Sequence, residues 1–100
     1  MAELDRLVHE PVRLRTLMLL ASVQEAEFSF IMKALGLTSG NLSIQVRKLE
    51  DAGYVTMTKT FQGRVPKTIF GITDRGRQAL DEYWQMLDRL RAEHAGGQRG

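Results

Sequence analysis

The chain contains no cysteine. That excludes disulfides, thiolate metal sites and cysteine nucleophiles. Histidine is almost as scarce: His9 and His94 stand near opposite ends. A metal site is conceivable only if both terminal segments meet across a dimer and acidic neighbours join them. Surface histidines are the plainer reading, so neither a metal nor a cofactor is expected. No apolar run approaches the ~18 residues of a membrane span. The opening stretch "MAELDRLVHEPVR" carries acidic residues and no apolar centre, so no signal peptide is expected. The expectation is a soluble cytoplasmic protein. No glycine-rich phosphate loop follows a strand, and no nucleophile elbow is present. Glu50 and Asp51 form a charge pair at a helix end rather than an acid/base dyad. An enzyme is therefore not expected.

What is present is ordinary in bulk and uneven in detail. The 100 residues are 43% hydrophobic and 26% charged, values that fit one globular domain with a core of its own. The net charge is only +2, but its distribution is not flat. Residues 39–77 hold seven Lys/Arg and three Asp/Glu, whereas residues 1–38 and 78–100 each carry a net −1. A basic middle between near-neutral flanks suggests one surface meant for an anion, although a solvated charge mix also fits.

Prolines are few, and both mark boundaries. The first segment reads as a helix in two pieces. Leu4, Leu7 and Val8 follow helical spacing, and Pro11 then suits the first turn of a new helix. In that second piece Val12, Leu14, Leu17, Met18, Leu20 and Ala21 cover more than half the circumference, so it is buried on several sides. Ser29 is a plausible cap for a short helix carrying Phe30, Ile31, Ala34 and Leu35, ended by Gly36. Thr38 or Ser39 caps a third helix running to about Ala52, and Gly53 stops it. After Gly53 the period changes to two. "YVTMTKTF" and "KTIFGIT" read as strands joined by a turn over Gln62–Pro66, with Pro66 at a strand edge. Thr73 caps a long last helix with Asp74 in its first turn, and that helix runs to about His94. Its stripe is Leu80, Tyr83, Trp84, Leu87 and Leu90. The tail, residues 95–100, has little to pack and is expected to be frayed and disordered. The fold class is therefore α+β, mostly α: a helix-turn-helix of three helices, a two-stranded β-hairpin wing and a long C-terminal helix, in one domain over residues 1–94.

The third helix poses the functional question. With Leu42 placed at 0°, Val46 falls near 40° and Leu49 near 340°, which defines the buried face. Gly40, Asn41, Ile44, Arg47 and Lys48 occupy the other side, with Gln45 at the boundary. Asn and Gln can pair with adenine, and Lys or Arg with guanine or phosphate, in a DNA major groove. Ile44, a bulky apolar residue on a polar face, suits a thymine methyl there. The alternative is that it faces a partner protein or wraps into the core. Lys59, Arg64 and Lys67 flank the hairpin tip and suit phosphates or a minor groove, or else serve only to blunt strand edges. Arg75 and Arg77, at the start of a helix where cations are unfavourable, are weaker candidates.

Three stretches, "LGLTSGNLSIQVRKLEDAGYV", "FQGRVPKT" and "ITDRGRQAL", together resemble the winged-helix transcriptional regulators related to MarR and ArsR. The likeness is greatest to the compact subfamily known simply as the winged helix DNA-binding domain, and it spans His9 to about Leu87. It implies a homodimer held by its terminal helices on a pseudo-palindromic double-stranded operator. By motif it would put Ser39, Asn41, Ser43, Gln45 and Lys48 on or beside the recognition surface, and Arg64 in the wing. Where such proteins often carry "SRHL" or "SKHL", this chain has "SIQV" (Ser43–Val46), which implies a different operator. Leu4, Leu7 and Val8 would pair with Tyr83, Trp84, Leu87 and Leu90 across a two-fold axis, unless both stripes close over the chain's own core. A ligand crevice lined by Tyr83, Trp84 and Met86 is a further possibility, with dimer core the plainer one. Besides a sequence-specific regulator, a protein-interaction module and a nonspecific architectural DNA binder remain open.

Overall fold

The computed structural model describes residues 4–99, with side chains as far as His94. Seven elements follow one another: α1 (Pro11–Val23), β1 (Glu25–Glu27), α2 (Phe28–Leu35), α3 (Ser39–Asp51), β2 (Val55–Gln62), β3 (Val65–Ile72) and α4 (Asp74–Arg99). Four helices and one antiparallel sheet of order β1-β3-β2 make a winged helix-turn-helix.

The core lies where α1, α3 and the base of α4 meet the inner face of the sheet. Leu17, Leu20, Ile31, Leu42 and Leu49 are fully buried there, with Val46, Val55, Phe70, Leu80 and Tyr83 close behind. Burying one such side chain stabilises by about 1.5–3 kcal/mol. Ten of them therefore account for much of what offsets the chain entropy of so small a domain.

The segment before Pro11 is not the first half of a split helix. Residues 4–10 form turns. Asp5 Oδ1 accepts from Leu7 N at 2.9 Å and Val8 N at 3.4 Å, which folds the chain back on itself. Glu10, preceding proline, is extended at φ −151° and ψ 132°, as the proline ring requires, so no helix can pass through it. Glu10 then caps α1 by accepting from Arg13 N at 2.8 Å.

β1 adds a third strand where a two-stranded wing was expected. Its three residues pair Glu25↔Gly71, Ala26↔Phe70 and Glu27↔Ile69. Ala26 turns to the core while both glutamates face out, and a short charged edge strand resists further pairing. Because β1 takes the residues before Phe28, α2 starts there with Glu27 as cap, and Ser29 instead donates to Glu27 Oε2 at 3.3 Å. Phe30 and Ala34 point to solvent; Phe28, Met32 and Leu35 pack on the core.

The wing is longer than its composition suggests, since Gln62, Val65 and Pro66 all lie in strands paired Gln62↔Val65 and Phe61↔Pro66. Only Gly63 and Arg64 remain in the loop. Gly63 has φ 63° and Arg64 does not share a positive φ, which fits a two-residue turn needing glycine at its first position. β1 flanks β3 only at Ile69–Gly71, so Pro66 sits on a local sheet edge, where its missing N–H costs nothing.

Thr73 fixes α4. Its Oγ1 donates to Gly53 O at 2.7 Å and accepts from Gly76 N at 3.0 Å. Thr73 N also donates to Tyr54 O at 3.1 Å. The α4 backbone stays helical through Arg99, past the end near His94 read from the sequence. Extending a helix already formed adds one bond per residue, so α4 outlasts its tertiary support. Of the tail, Gly100 lies outside the described residues. The radius of gyration, 16.0 Å, exceeds the ~13 Å of a compact 100-residue domain, and the extents are 64 × 25 × 20 Å.

Candidate nucleic-acid interface

Thr38 starts α3 with its Oγ1 accepting from Asn41 N at 3.2 Å. Leu42, Val46 and Leu49 are buried, as their spacing required, and this orientation fixes the opposite face. Ser39, Gly40, Asn41, Ser43, Ile44, Arg47 and Lys48 are all exposed, and Gln45 is half-buried at the edge. Ile44 is 58% exposed, so it does not turn into the core.

Gln45 has a neighbour that sequence reading missed. Arg13, on the buried face of α1 with Thr16, Leu17 and Leu20, is only 9% exposed. Its Nε donates to Leu7 O at 2.6 Å and its Nη2 reaches Arg6 O at 3.5 Å. The remaining arm, Nη1, donates to Gln45 Oε1 at 2.5 Å. Gln45 Nε2 in turn donates to Asn41 Oδ1 at 3.3 Å. The available signal was position: an Arg three and four residues before a buried Thr16–Leu17 pair shares their face.

The wing separates its three cations. Alternation puts Met57, Lys59 and Phe61 on the strand face that continues from buried Val55, toward α3. Lys59, Arg47, Ser43, Glu50 and Thr68 line an open groove of about 360 Å³ between α3 and the wing, floored by Met57 and Phe70. Arg64 stands at the tip, flanked by Phe61, 71% exposed, and Val65, 60% exposed. Lys67 does not join them. It lies on the other strand face and pairs with Glu27 at 2.9 Å, and that hydrogen bond holds the Glu27 carboxyl below its usual range. Arg77 is likewise turned inward, donating to Ala21 O at 3.3 Å near the C-terminal end of α1, where a cation is favourable. Arg75 stays exposed.

The two terminal stripes divide between core and surface. Val8 and Tyr83 are buried in the chain's own core, with Leu4 and Leu87 packed against it. Leu7 is half-buried. Trp84 is 37% exposed and Leu90 40% exposed, and no residue from Asp88 to His94 is buried. His9 Nδ1 lies 2.7 Å from Tyr83 Oη, which ties the N-terminal turn to α4. Asp5 Oδ2 accepts from Tyr54 Oη at 2.8 Å. Burial first, and this hydrogen bond second, push the Tyr54 hydroxyl above its ordinary pKa of 10.0. A groove of about 380 Å³ runs between Asp5 and the Glu82–Arg89 stretch of α4, with Met86 on its wall. Among the described residues no group of three or more His, Asp or Glu converges on a point, and no helix is long and apolar enough to cross a membrane.

Comparison with known proteins adds the following. Residues 12–91 match the family model described as the winged helix DNA-binding domain. The chain is 39% identical over 79 residues to the uncharacterized protein MJ0432 of Methanocaldococcus jannaschii, which takes in 78% of this chain and 85% of that one. A solved structure of the transcriptional regulator homologue protein from Pyrococcus horikoshii OT3 superposes with a TM-score of 0.75 at 37% identity, covering 92% of this chain and 88% of that one. Bacillus subtilis PadR, solved in complex with operator DNA, superposes with a TM-score of 0.68 over 76% of this chain and 46% of that one. At 22% identity that likeness concerns the fold alone.

Proposed function

Because this chain belongs to the winged helix DNA-binding domain family, we propose that it is a transcriptional regulator that binds double-stranded DNA sequence-specifically as a homodimer. α3 enters the major groove. Asn41 and Gln45 meet base edges, Ile44 packs on a thymine methyl, and Arg47 and Lys48 hold phosphates. Lys59 and Arg64 extend the contact along the backbone, and the tip reaches the minor groove. Lys67, paired with Glu27, contributes less than the other two.

The observation that carries this reading is the exposed face of α3, where a bulky apolar side chain stands largely in solvent among amides and cations. Support for the dimer comes from α4, which leaves the core after Leu87 with Trp84 and Leu90 uncovered. Two copies joined there, with Leu4 and Leu7 at the margin, would present two α3 helices to half-sites about 34 Å apart, one turn of DNA.

The exposed apolar side chains of Ile44 on α3 and of Phe61 and Val65 at the wing tip favour one second reading, in which this end of the molecule docks on a protein. Salt separates the two. DNA affinity falls with a log–log slope of about −0.9 per phosphate neutralised, whereas an apolar protein contact is far less sensitive. The test is selection and sequencing of bound duplexes from a random pool at two salt concentrations. Enrichment of a two-fold symmetric site is expected. Salt-sensitive retention of all sequences alike points instead to an architectural binder, and no retention at low salt to the protein-docking reading. Ile44→Ala is expected to weaken the selected site far more than random DNA, and equal loss on both would remove the thymine contact.

A further inference from the structure

Asn41 and Gln45 each carry an amide that can present either a donor or an acceptor, and the direction of each decides which base it recognises. Free amides of this kind suit adenine, which needs an acceptor for its N6–H and a donor for N7. These two are not free. A guanidinium has donors only. With Arg13 Nη1 at 2.5 Å, the facing atom of Gln45 is fixed as its carbonyl oxygen. Its Nε2 therefore faces Asn41, and the Asn41 atom that receives it at 3.3 Å is fixed as oxygen too. What remains at the exposed surface is one N–H of Gln45, both N–H groups of Asn41 and, as acceptor, the second lone pair of an Asn41 oxygen already turned toward Gln45.

Arg13 itself is held in place. Two of its arms are anchored on the carbonyls of Leu7 and Arg6, and with 9% exposure it lies behind the α3 face, out of reach of a base. The N-terminal turn is thus the fixed end of a relay that runs Leu7 carbonyl, Arg13, Gln45, Asn41.

We propose that Arg13 is a specificity-determining positioning residue: it holds the oxygens of Gln45 and Asn41 toward the relay and their N–H groups outward, so that the pair favours guanine, with its adjacent O6 and N7 acceptors, over adenine. This rests on the DNA-binding reading above. Cytosine, which offers only a donor, is disfavoured for the same reason as adenine.

The test is binding-site selection with the full chain and three variants. Asn41→Ala identifies the base position that depends on Asn41. At that position the unaltered chain is expected to enrich guanine over adenine about tenfold or more. Arg13→Lys keeps a cation on a similar stem but cannot span from Leu7 O to Gln45. Gln45→Leu cuts the relay on α3 and keeps a good helix former. Both should free Asn41 to turn and let adenine in at that position, with guanine preference falling to about twofold or less on the tenfold scale expected above. An Arg13 that only supported the fold would instead lower affinity for every sequence alike. If Arg13→Lys loses its cooperative melt, Gln45→Leu decides alone. Adenine in the unaltered chain, or guanine preference unchanged in the variants, overturns the assignment while leaving DNA binding intact. Retention of no duplex overturns both. A readout without DNA stands beside these: the Gln45 side-chain NH₂ in the free protein should show an order parameter near ~0.85, like rigid backbone, and a value below ~0.6 would sink the relay.

Discussion

Gly76 sits in the first turn of α4, and its backbone approaches the chain leaving α3 more closely than any other side chain could allow. A Cβ built there would lie 2.2 Å from Tyr54 O and 3.0 Å from both Tyr54 C and Ile72 Cγ1. Carbon approaches a carbonyl oxygen no closer than about 3.3 Å in ordinary contacts, so Gly76→Ala requires α4 and Tyr54 to separate by roughly 1 Å. The obstacle is backbone, which cannot rotate away. In an unobstructed helix the exchange would stabilise by about 1 kcal/mol. Here the forced fit costs about 3 kcal/mol, at the upper end for overpacking. Separation also weakens two hydrogen bonds that join the same elements, Thr73 N to Tyr54 O and Thr73 Oγ1 to Gly53 O, each contributing about 1 kcal/mol. The net loss is about 3–4 kcal/mol, a Tm decrease of roughly 12–30 °C for a domain of this size. Gly40→Ala in the first turn of α3 is the control, since nothing lies within 4 Å of that position. It should melt at or slightly above the parent. Thermal melts followed by circular dichroism at 222 nm decide the matter. A Gly76→Ala variant that melts no lower than the parent would refute the reasoning.

Other expectations follow from single contacts. Tyr54→Phe removes the hydrogen bond to Asp5 and should cost about 1 kcal/mol at neutral pH by urea titration. Because the folded protein holds this proton more tightly than the unfolded chain, the parent's stability should be intact below the ordinary pKa of 10.0 and decline as pH rises through the raised one. The Phe variant should lack that alkaline decline, and an identical decline in both would contradict the assignment. Thr38→Ala deletes the side-chain cap of α3 and should lower stability by about 1 kcal/mol, with the earliest loss of amide protection at Gly40 and Asn41 in hydrogen exchange. Gln24, at φ 71° and ψ −49°, is strained by about 1–3 kcal/mol. Gln24→Gly should therefore raise the urea midpoint, and a fall would show that the side chain matters more than the backbone. Trp84→Glu combined with Leu90→Glu should halve the mass seen by sedimentation if α4 joins two copies, and an unchanged mass would place the interface elsewhere.

The parts of this fold that were readable in the sequence are those where local chemistry and tertiary burial agree. Thr38, the Leu42/Val46/Leu49 spacing and Gly53 each point to the same α3, and Thr73 with Asp74 marks the start of α4. The exposed face of α3 followed from the buried one. What was not readable depends on partners distant in sequence. Nothing in Glu-Ala-Glu announces a strand, and β1 exists because β3 offers it an edge. Leu4, Leu7 and Val8 have helical spacing, yet their segment is placed by the Asp5 bond to Tyr54 and by burial against the core. Arg13 was passed over because a helix stripe is usually counted in apolar residues alone. Lys67 was counted with the wing cations because a residue total cannot tell one face of a ribbon from the other, nor foresee Glu27 beside it.

The Thr73 joint has a mechanical consequence. It pins the start of α4 to Gly53 and Tyr54, the two residues that leave α3, by two bonds and a glycine contact without slack. α4 is a stiff rod of about 39 Å fixed at its base to the end of α3. Tilting such a rod by 5° carries its far end through about 3 Å. The converse also holds. If two copies join through α4 as proposed, whatever sets the angle between the two rods sets the spacing and pitch of the two α3 helices, and the chain would be tuned from a point far from the surface it tunes.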